Sequence, residues 1–197
     1  MKRDELRRHL RGLRAGLPAP ERRAAAEAAA AILTALPHYR DARRIAVYVA
    51  VDGELDPEPL GIRARAAGKE VYLPVLPASN NLPLVFLPYA ADTVLRPNRY
   101  RIPEPAPTAD APLAPVELDL VLAPLVAFDA RGQRLGMGGG FYDRSFAFLL
   151  KDARAPHPVL IGYAYECQRL DALDAAEWDV PLAGVVTEQQ FHAFPAP

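Results

Sequence analysis

The chain has 197 residues, 51% hydrophobic and 24% charged, a balance typical of folded globular proteins that excludes a disordered or fibrous chain. Its formal net charge is -1, so no overall positive field would draw it to nucleic acid or to an anionic membrane surface. The single cysteine, Cys167, excludes an internal disulfide, and with only four histidines the sequence offers no zinc-type cluster.

The first residues are charged throughout and lack the apolar core of a signal peptide, and no later apolar run reaches membrane-spanning length. We therefore expect a cytoplasmic protein without a nucleic-acid or membrane partner. The length suits one α/β domain that covers residues 1–197.

The N-terminal segment has the pattern of an amphipathic helix. Leu6, Leu10, Leu13 and Leu17 recur at helical spacing, and the helix is expected to end near Pro18. Arginines fill the positions between the leucines: Arg7, Arg8, Arg11 and Arg14. One face of the helix is therefore strongly basic.

Helix and strand patterns alternate in the next stretch. A helix is expected from Glu21 to Leu36, with Pro37 stopping it, followed by a buried strand from Arg44 to Val51. A crossover helix from Pro57 to Gly68 leads to a second strand from Glu70, which predicts a βαβ unit.

The second half continues the alternation after a proline-rich stretch, which is typical of strands at a sheet edge joined by rigid turns. Leu118 to Phe128 is the strongest strand pattern, and a helix should start near Phe141. Further strands are expected from Val159 and from Ala183. The alternation predicts an α/β fold.

The loop from Asp129 to Asp143 follows a buried strand and leads into a helix, which is where open α/β sheets place ligands. Arg131 and Arg134 precede its glycines, and Asp143 could hold a magnesium ion that bridges phosphate oxygens. The glycines that would let backbone amides turn toward an anion are Gly136, Gly138, Gly139 and Gly140. The alternative is a flexible turn whose glycines serve close packing.

The basic N-terminal helix also has two interpretations. It could be a solvated surface, or a second positive element that closes over a phosphate-bearing ligand, because phosphoryl transfer needs positive charge around the phosphates. Glu54 follows the first strand and could enter a site, whereas Asp56 is expected to cap the next helix. Asp179 could be a surface turn residue or a second metal ligand.

The segment DLVLAPLVAFDARGQRLGMGGGFYDR resembles the signature of the 5-formyltetrahydrofolate cyclo-ligase family, also called methenyltetrahydrofolate synthetases. Four further motifs resemble the family in the same order: GELDP from Gly53, YRIPEP from Tyr100, IGYAYECQ from Ile161 and WDVPLAGVVTE from Trp178. The resemblance spans nearly the whole chain.

The resemblance implies a single-domain, three-layer Rossmann-like sandwich with a mostly parallel central sheet. It implies an enzyme that uses ATP and Mg2+ to convert 5-formyltetrahydrofolate to 5,10-methenyltetrahydrofolate, with release of ADP and phosphate. We expect the enzyme to be a monomer. Phosphorylation would turn the poor leaving group of the formyl oxygen into a good one, so that the neighbouring folate amine can close the ring.

The resemblance also implies site residues. The ATP-binding residues would be Arg3, Arg7, Arg14, Arg134, Gly136, Gly138, Gly139, Gly140, Phe141 and Tyr142. The folate-binding residues would be Glu54, Met137, Gly138, Gly139, Phe141 and Tyr142. Arg134 and Tyr142 would be catalytic, and Asp143 and Asp179 would bind magnesium.

Five positions depart from the family pattern. Arg3 stands where the family usually has lysine, and Phe141 replaces the first tyrosine of an aromatic pair. The others are Pro57 in place of threonine, Trp178 in place of histidine and Ala183 in place of aspartate. The departures near Glu54 and Asp179 motivate one alternative, a nucleotide-binding regulatory module of the same fold without turnover. A second alternative is an ATP-dependent enzyme that uses the same phosphate loop on a non-folate small molecule.

Overall fold

The computed structural model describes residues 2–79, 81–106, 111–150, 158–173 and 179–194. Within these residues the α-helices are α1 Arg3–Ala15, α2 Ala19–Thr34, α3 Pro37–Asp41, α4 Glu58–Ala66 and α5 Phe141–Phe146. The strands are β1 Arg44–Ala46, β2 Glu70–Val75, β3 Val85–Pro88, β4 Leu95–Pro97, β5 Pro103–Pro105, β6 Leu120–Pro124, β7 Ala127–Asp129, β8 Arg134–Leu135, β9 Val159–Tyr163, β10 Arg169–Leu170, β11 Gly184–Val186 and β12 Phe191–Ala193. None of the helices described is long and apolar enough to cross a membrane.

The described strands build a seven-stranded central sheet in the order β12-β11-β9-β6-β1-β2-β3. The inner strands run parallel, whereas β3 and β12 pair antiparallel at the two edges. Strands that are buried on both faces need continuous apolar sequence, and residues 120–123 of β6 are all 0% exposed. The predicted α/β fold with a mostly parallel central sheet is confirmed.

Apolar side chains cover both faces of the central sheet. On one face α2 and α4 pack through a cluster that includes Leu33 and Leu60. On the other face a second cluster joins Phe86 of β3 to Phe146 of α5. The predicted βαβ unit is present as β1, α4 and β2, with β1 and β2 parallel.

The strand expected from Leu118 to Phe128 is divided in two. β6 ends at Pro124, and the chain continues as β7, which pairs with β8 and β10 in a separate sheet. Side chains supply the hydrogen bonds at the division. The Leu125 carbonyl accepts from Arg14 at 3.3 Å and from Gln168 at 2.9 Å. These bonds satisfy the backbone where it leaves the central sheet.

The expected boundaries shift at α2 and β1. The helix expected from Glu21 to Leu36 runs from Ala19 to Thr34, and Pro37 begins α3, because proline suits the first position of a helix. The first strand is shorter than expected and ends at Ala46. In the proline-rich stretch β3 lies at the sheet edge as expected, whereas β4 and β5 form a separate two-stranded ribbon.

Candidate active site

The apolar face of α1 packs on the small sheet that leads into the glycine loop, residues 129–143. Leu10 is 2% exposed and belongs to a buried cluster with Val126 of the β6–β7 connection and Leu135 of β8; Leu6 packs against that cluster. The helix is therefore held against the strands on either side of the loop's first turn. This packing fixes where its arginines lie.

Two arginines of α1 reach the glycine loop and its surroundings. The Arg7 Nε donates a hydrogen bond to the Gly136 carbonyl at 2.9 Å. The Arg3 guanidinium lies 3.7 Å from the Asp179 carboxylate. The basic face is thus joined to the loop region by contacts with protein acceptors, and its role as a second positive element over a phosphate stays a prediction.

Asp129 builds the first turn of the glycine loop. Its fully buried carboxylate accepts hydrogen bonds from the backbone amides of Arg131, Gln133 and Leu173, at 2.9 to 3.0 Å, and from the Arg131 guanidinium. Burial acts to raise the pKa of Asp129, but these hydrogen bonds outweigh it and hold the pKa below its usual value. The carboxylate is therefore a structural charge of the loop.

Asp129→Asn is expected to destabilise the protein by about 2–3 kcal/mol at neutral pH, because hydrogen bonds to a charged acceptor are lost. A carboxyl whose folded pKa is lowered contributes stability above its unfolded pKa and loses it as the pH falls through the folded value. In denaturant titrations the difference between parent and variant should therefore be constant above about pH 5 and shrink as the pH falls below the unfolded carboxyl's pKa of about 4. Asp171→Asn, at an exposed position, is the control. A difference that is constant with pH would contradict this role.

Backbone conformation and close packing explain why glycine occupies positions in this loop. Gly138 and Gly140 have φ values of 100° and 63°, which residues with side chains rarely adopt. A Cβ on Gly138 would lie 3.6 Å from the guanidinium carbon of Arg7. Gly138 and Gly139 are exposed, and the Gly139 carbonyl accepts a hydrogen bond from Arg144 at 2.8 Å. The backbone of Gly138 and Gly139 is thus exposed to solvent next to the α1 arginines.

Arg134 and Asp143 form a largely buried ion pair at the base of the loop, a contact that the sequence did not predict. Arg134 is 5% exposed, and its Nε also donates to the Val180 carbonyl at 3.4 Å. The Val180 amide donates to Asp143 Oδ1 at 3.2 Å. The two residues expected to bind metal, Asp143 and Asp179, are therefore brought into the same neighbourhood.

Glu54 is a buried carboxylate at the carboxyl edge of the central sheet. It is 8% exposed, and its oxygens accept from the Val51 amide at 3.1 Å and from Arg14 at 3.4 Å. Burial raises the pKa of Glu54, although the Arg14 charge and the Val51 hydrogen bond counteract it. The carboxylate is therefore less stable in its charged form than an exposed glutamate.

Arg14, expected to contact ATP, is placed differently from Arg3 and Arg7. Its side chain is fully buried. Besides Glu54, it donates to the Asp52 carbonyl at 3.1 Å and to the Leu125 carbonyl at 3.3 Å. In this arrangement its donors face protein acceptors.

The charges of both Glu54 and Arg134 act on the Tyr142 phenol. Burial and the nearby negative charge of Glu54 raise the pKa of Tyr142, whereas the positive charge of Arg134 lowers it. The balance is a raised pKa, so the phenol stays protonated at neutral pH. Its hydroxyl can therefore donate a hydrogen bond next to Glu54.

Phe141 and Met137 give the loop apolar surface. The Phe141 ring meets the Tyr100 ring edge-on with centroids 6.3 Å apart, and the Arg144 guanidinium lies 5.0 Å from the Phe141 centroid. Met137 is 44% exposed. Tyr100 and Arg144 were not predicted as site residues; the signal for Tyr100 was the YRIPEP motif that it opens.

Asp56 lies one residue before Pro57, the N-cap of α4, so it is not the N-cap residue itself; its carboxylate still accepts the amide of Glu58, the first residue of the helix, at 2.9 Å. Pro57 and Ala183 are two of the positions that depart from the family pattern. Pro57, directly before α4, is buried. The backbone amide of Ala183 donates to the Leu160 carbonyl at 2.8 Å. Trp178 lies outside the described residues. Across the described ranges, no group of three or more His, Cys, Asp or Glu side chains is arranged to hold a metal.

Comparison with known proteins gives relatives along nearly the full chain. The 5-formyltetrahydrofolate cyclo-ligase family model matches residues 1–188. The chain is 38% identical over 185 residues to a Haemophilus influenzae protein named 5-formyltetrahydrofolate cyclo-ligase, covering 94% of this chain and 97% of that protein. It is 45% identical over 146 residues to the Escherichia coli K12 protein of the same name, covering 74% and 78%.

Solved structures agree with the sequence relatives. The fold is similar to that of 5,10-methenyltetrahydrofolate synthetase from Aquifex aeolicus, with a TM-score of 0.83, 28% identity and coverage of 100% of this chain and 95% of that one. The synthetase from Mycoplasma pneumoniae shares the fold, with a TM-score of 0.73 and 23% identity over 95% of this chain and 99% of that one. From its sequence match and its fold together, the chain belongs to the 5-formyltetrahydrofolate cyclo-ligase family.

Proposed function

We propose that this chain is an ATP- and magnesium-dependent cyclo-ligase that converts 5-formyltetrahydrofolate to 5,10-methenyltetrahydrofolate, with release of ADP and phosphate. The observation that carries the proposal is the position of α1, which contacts both ends of the candidate site. Arg7 of this helix hydrogen-bonds Gly136 of the exposed glycine loop, and Arg14 hydrogen-bonds the buried Glu54. An anion-binding backbone and a folate-facing carboxylate would thus share one edge of the sheet. We further propose that the enzyme works in the cytoplasm as a monomer and binds only small molecules.

At the phosphate end, Arg3 and Arg7 would contact ATP from α1. The backbone of residues 136–140 would supply amide donors, since its glycines allow close approach of an anion. Transfer of a γ-phosphoryl group depends on positioning and charge neutralisation, which these groups provide. Arg134 would add positive charge beside the loop and hold Asp143 in place.

The residues around Asp143 fit a magnesium ion. Magnesium is usually held by one or two carboxylates together with phosphate oxygens and water, so two aspartates are enough. Asp143 and Asp179 would be these ligands, and the Val180 hydrogen bond to Asp143 supports their proximity. When bound, the ion would neutralise charge on the phosphate oxygens.

At the folate end, Glu54 would accept a hydrogen bond from a substrate N–H, and the protonated Tyr142 would donate one to a substrate oxygen. Phosphorylation of the formyl oxygen would give an imidate phosphate. The neighbouring folate amine would then attack the formyl carbon, and the bond from that carbon to the phosphorylated oxygen would break. Phosphate would leave and take up the proton that the amine nitrogen loses as it becomes part of the methenyl bridge. Phe141 and Met137 would provide apolar contact, and Gly138 and Gly139 would let the substrate approach the loop.

Asp143→Asn is expected to raise the magnesium concentration needed for half-maximal activity about tenfold or more, because an amide keeps the shape and loses the charge that holds the ion. Magnesium titrations of the initial rate at saturating ATP measure the effect. A thermal melt shows how much of the change in activity is due to lower stability after loss of the Arg134 ion pair. Asp179→Asn should shift the magnesium requirement in the same direction, and titration curves that match the parent's would remove Asp143 from the metal site.

Absorbance of methenyltetrahydrofolate, followed with and without ATP, tests the proposed function. The cyclo-ligase predicts product that depends on both ATP and 5-formyltetrahydrofolate. A regulatory nucleotide-binding module predicts ATP binding without product or phosphate release. An enzyme with a non-folate substrate predicts no product in this assay, and phosphate release only when its own substrate is supplied.

A further inference from the structure

Arg14 connects three segments of the chain that meet at the candidate site. Its guanidinium donates to the Asp52 carbonyl, to the Leu125 carbonyl and to Glu54. The Leu125 carbonyl lies where the chain leaves β6 for β7 and continues to the glycine loop. One buried side chain therefore ties α1 to the turn that carries Glu54 and to the strand that leads to the loop.

The backbone around Arg14 packs closely against the turn at Asp52 and Gly53. Asp52 and Gly53 both have positive φ, at 51° and 73°. A Cβ on Gly53 would lie 3.0 Å from the Ala15 Cα and 3.3 Å from the Arg14 carbonyl oxygen. The end of α1 thus rests directly on the turn, and little space separates the two segments.

A fully buried guanidinium is favourable only when its charge and donors are matched by acceptors. Arg14 meets this condition through two carbonyls and a carboxylate, and all of them belong to the protein. Direct contact with a phosphate would require these bonds to break. Glu54, in turn, is a buried carboxylate whose charge is partly balanced by Arg14.

We propose that Arg14 is a positioning residue that keeps Glu54 charged and fixed relative to the glycine loop, in place of the phosphate contact that the family resemblance implies. The proposal rests on the proposed function, since it assigns Glu54 to folate. The charged and titratable groups around Glu54 are Arg14 from α1, Asp52 from its own turn, Tyr48 from the chain after β1, Tyr142 from α5, and Tyr165 from the chain after β9, whose hydroxyl donates to the Glu54 carbonyl at 3.4 Å. Arg14 is the positive member that hydrogen-bonds the carboxylate.

The experiment compares the parent with Arg14→Gln, Arg14→Lys and the control Arg8→Gln, which removes a charge from the exposed part of the same helix. Initial rates are measured over pH with each substrate varied in turn. Arg14→Gln should raise the folate KM about tenfold with the ATP KM near the parent's. It should also move the acid limb of kcat/KM for folate upward by about one pH unit, because loss of a nearby positive charge raises the pKa of a carboxyl.

Arg14→Lys keeps the charge with a different donor geometry, so its acid limb should lie near the parent's while the folate KM rises a few-fold. If Arg14→Gln does not fold, the lysine variant tests the proposal by itself. A parent-like folate KM for Arg14→Lys would overturn the proposal. A higher ATP KM with unchanged folate KM would make Arg14 a phosphate contact. A lower Tm with parent-like kinetics and pH profile would make it purely structural.

An NMR titration of 13C-labelled Glu54, assigned with Glu54→Gln, tests the coupling without substrate. The carboxyl should titrate at higher pH in Arg14→Gln than in the parent, and an unchanged titration would overturn the proposal. If the parent makes no methenyltetrahydrofolate while the titration shifts as expected, the proposed function fails and the Arg14–Glu54 coupling stands.

Discussion

Arg134→Ala is expected to lower the stability of the protein and its use of ATP together. The side chain is 4% exposed and pairs with Asp143, whose side chain is 18% exposed. Removing one partner of a buried pair leaves the other without compensation, which costs about 3 kcal/mol in free energy of unfolding. Because Arg134 also places positive charge beside the loop, we expect the ATP KM to rise at least about tenfold while the folate KM changes little.

The measurements are denaturant unfolding and steady-state kinetics at fixed magnesium. Arg131→Ala is the control for ATP use: Arg131 lies in the same loop, and its loss should lower stability because it hydrogen-bonds the buried Asp129 carboxylate, but the ATP KM should stay near the parent's. The double variant Arg134→Ala with Asp143→Asn should lose less stability than the sum of the two single changes, since neither then leaves a buried charge. A folded Arg134→Ala variant with the parent's ATP KM would contradict the assignment of this loop to ATP.

Glu54→Gln is expected to reduce folate use about a hundredfold in kcat/KM while the ATP KM stays near the parent's. A charged hydrogen bond is exchanged for a neutral one in a buried site, where such bonds contribute about 1.5–3 kcal/mol. The fold should persist, because the amide oxygen can still accept from Arg14 or Val51. Unfolding should cost about 1–2 kcal/mol less than in the parent, since Arg14 loses its carboxylate partner.

The pH profile adds a second signature for Glu54. Its pKa is raised, so the parent should lose activity on the acid side as the carboxylate takes up a proton through that raised value. The glutamine variant should lack this limb. Glu58→Gln is the control, because Glu58 pairs with Arg65 on α4. Parent-like folate constants and an unchanged acid limb would remove Glu54 from the folate site.

The sequence by itself determined the α/β class, the βαβ unit and the edge at which Glu54 and the glycine loop lie. These features follow from local pattern, since continuous apolar runs make buried strands and parallel strands end at one edge of a sheet. Helical spacing likewise places Arg3, Arg7 and Arg14 on one stripe of α1.

The tertiary structure decided how deeply each of these charges lies and which partner it has. Arg7 reaches the glycine loop, whereas Arg14 is covered by the turn at Asp52 and by the strand division at Leu125. Arg134 is also buried, and its partner is Asp143. A helix pattern gives the direction of a side chain, but its exposure depends on segments distant in sequence that pack over it. Burial then makes a protein acceptor necessary for each buried charge, which local sequence cannot reveal.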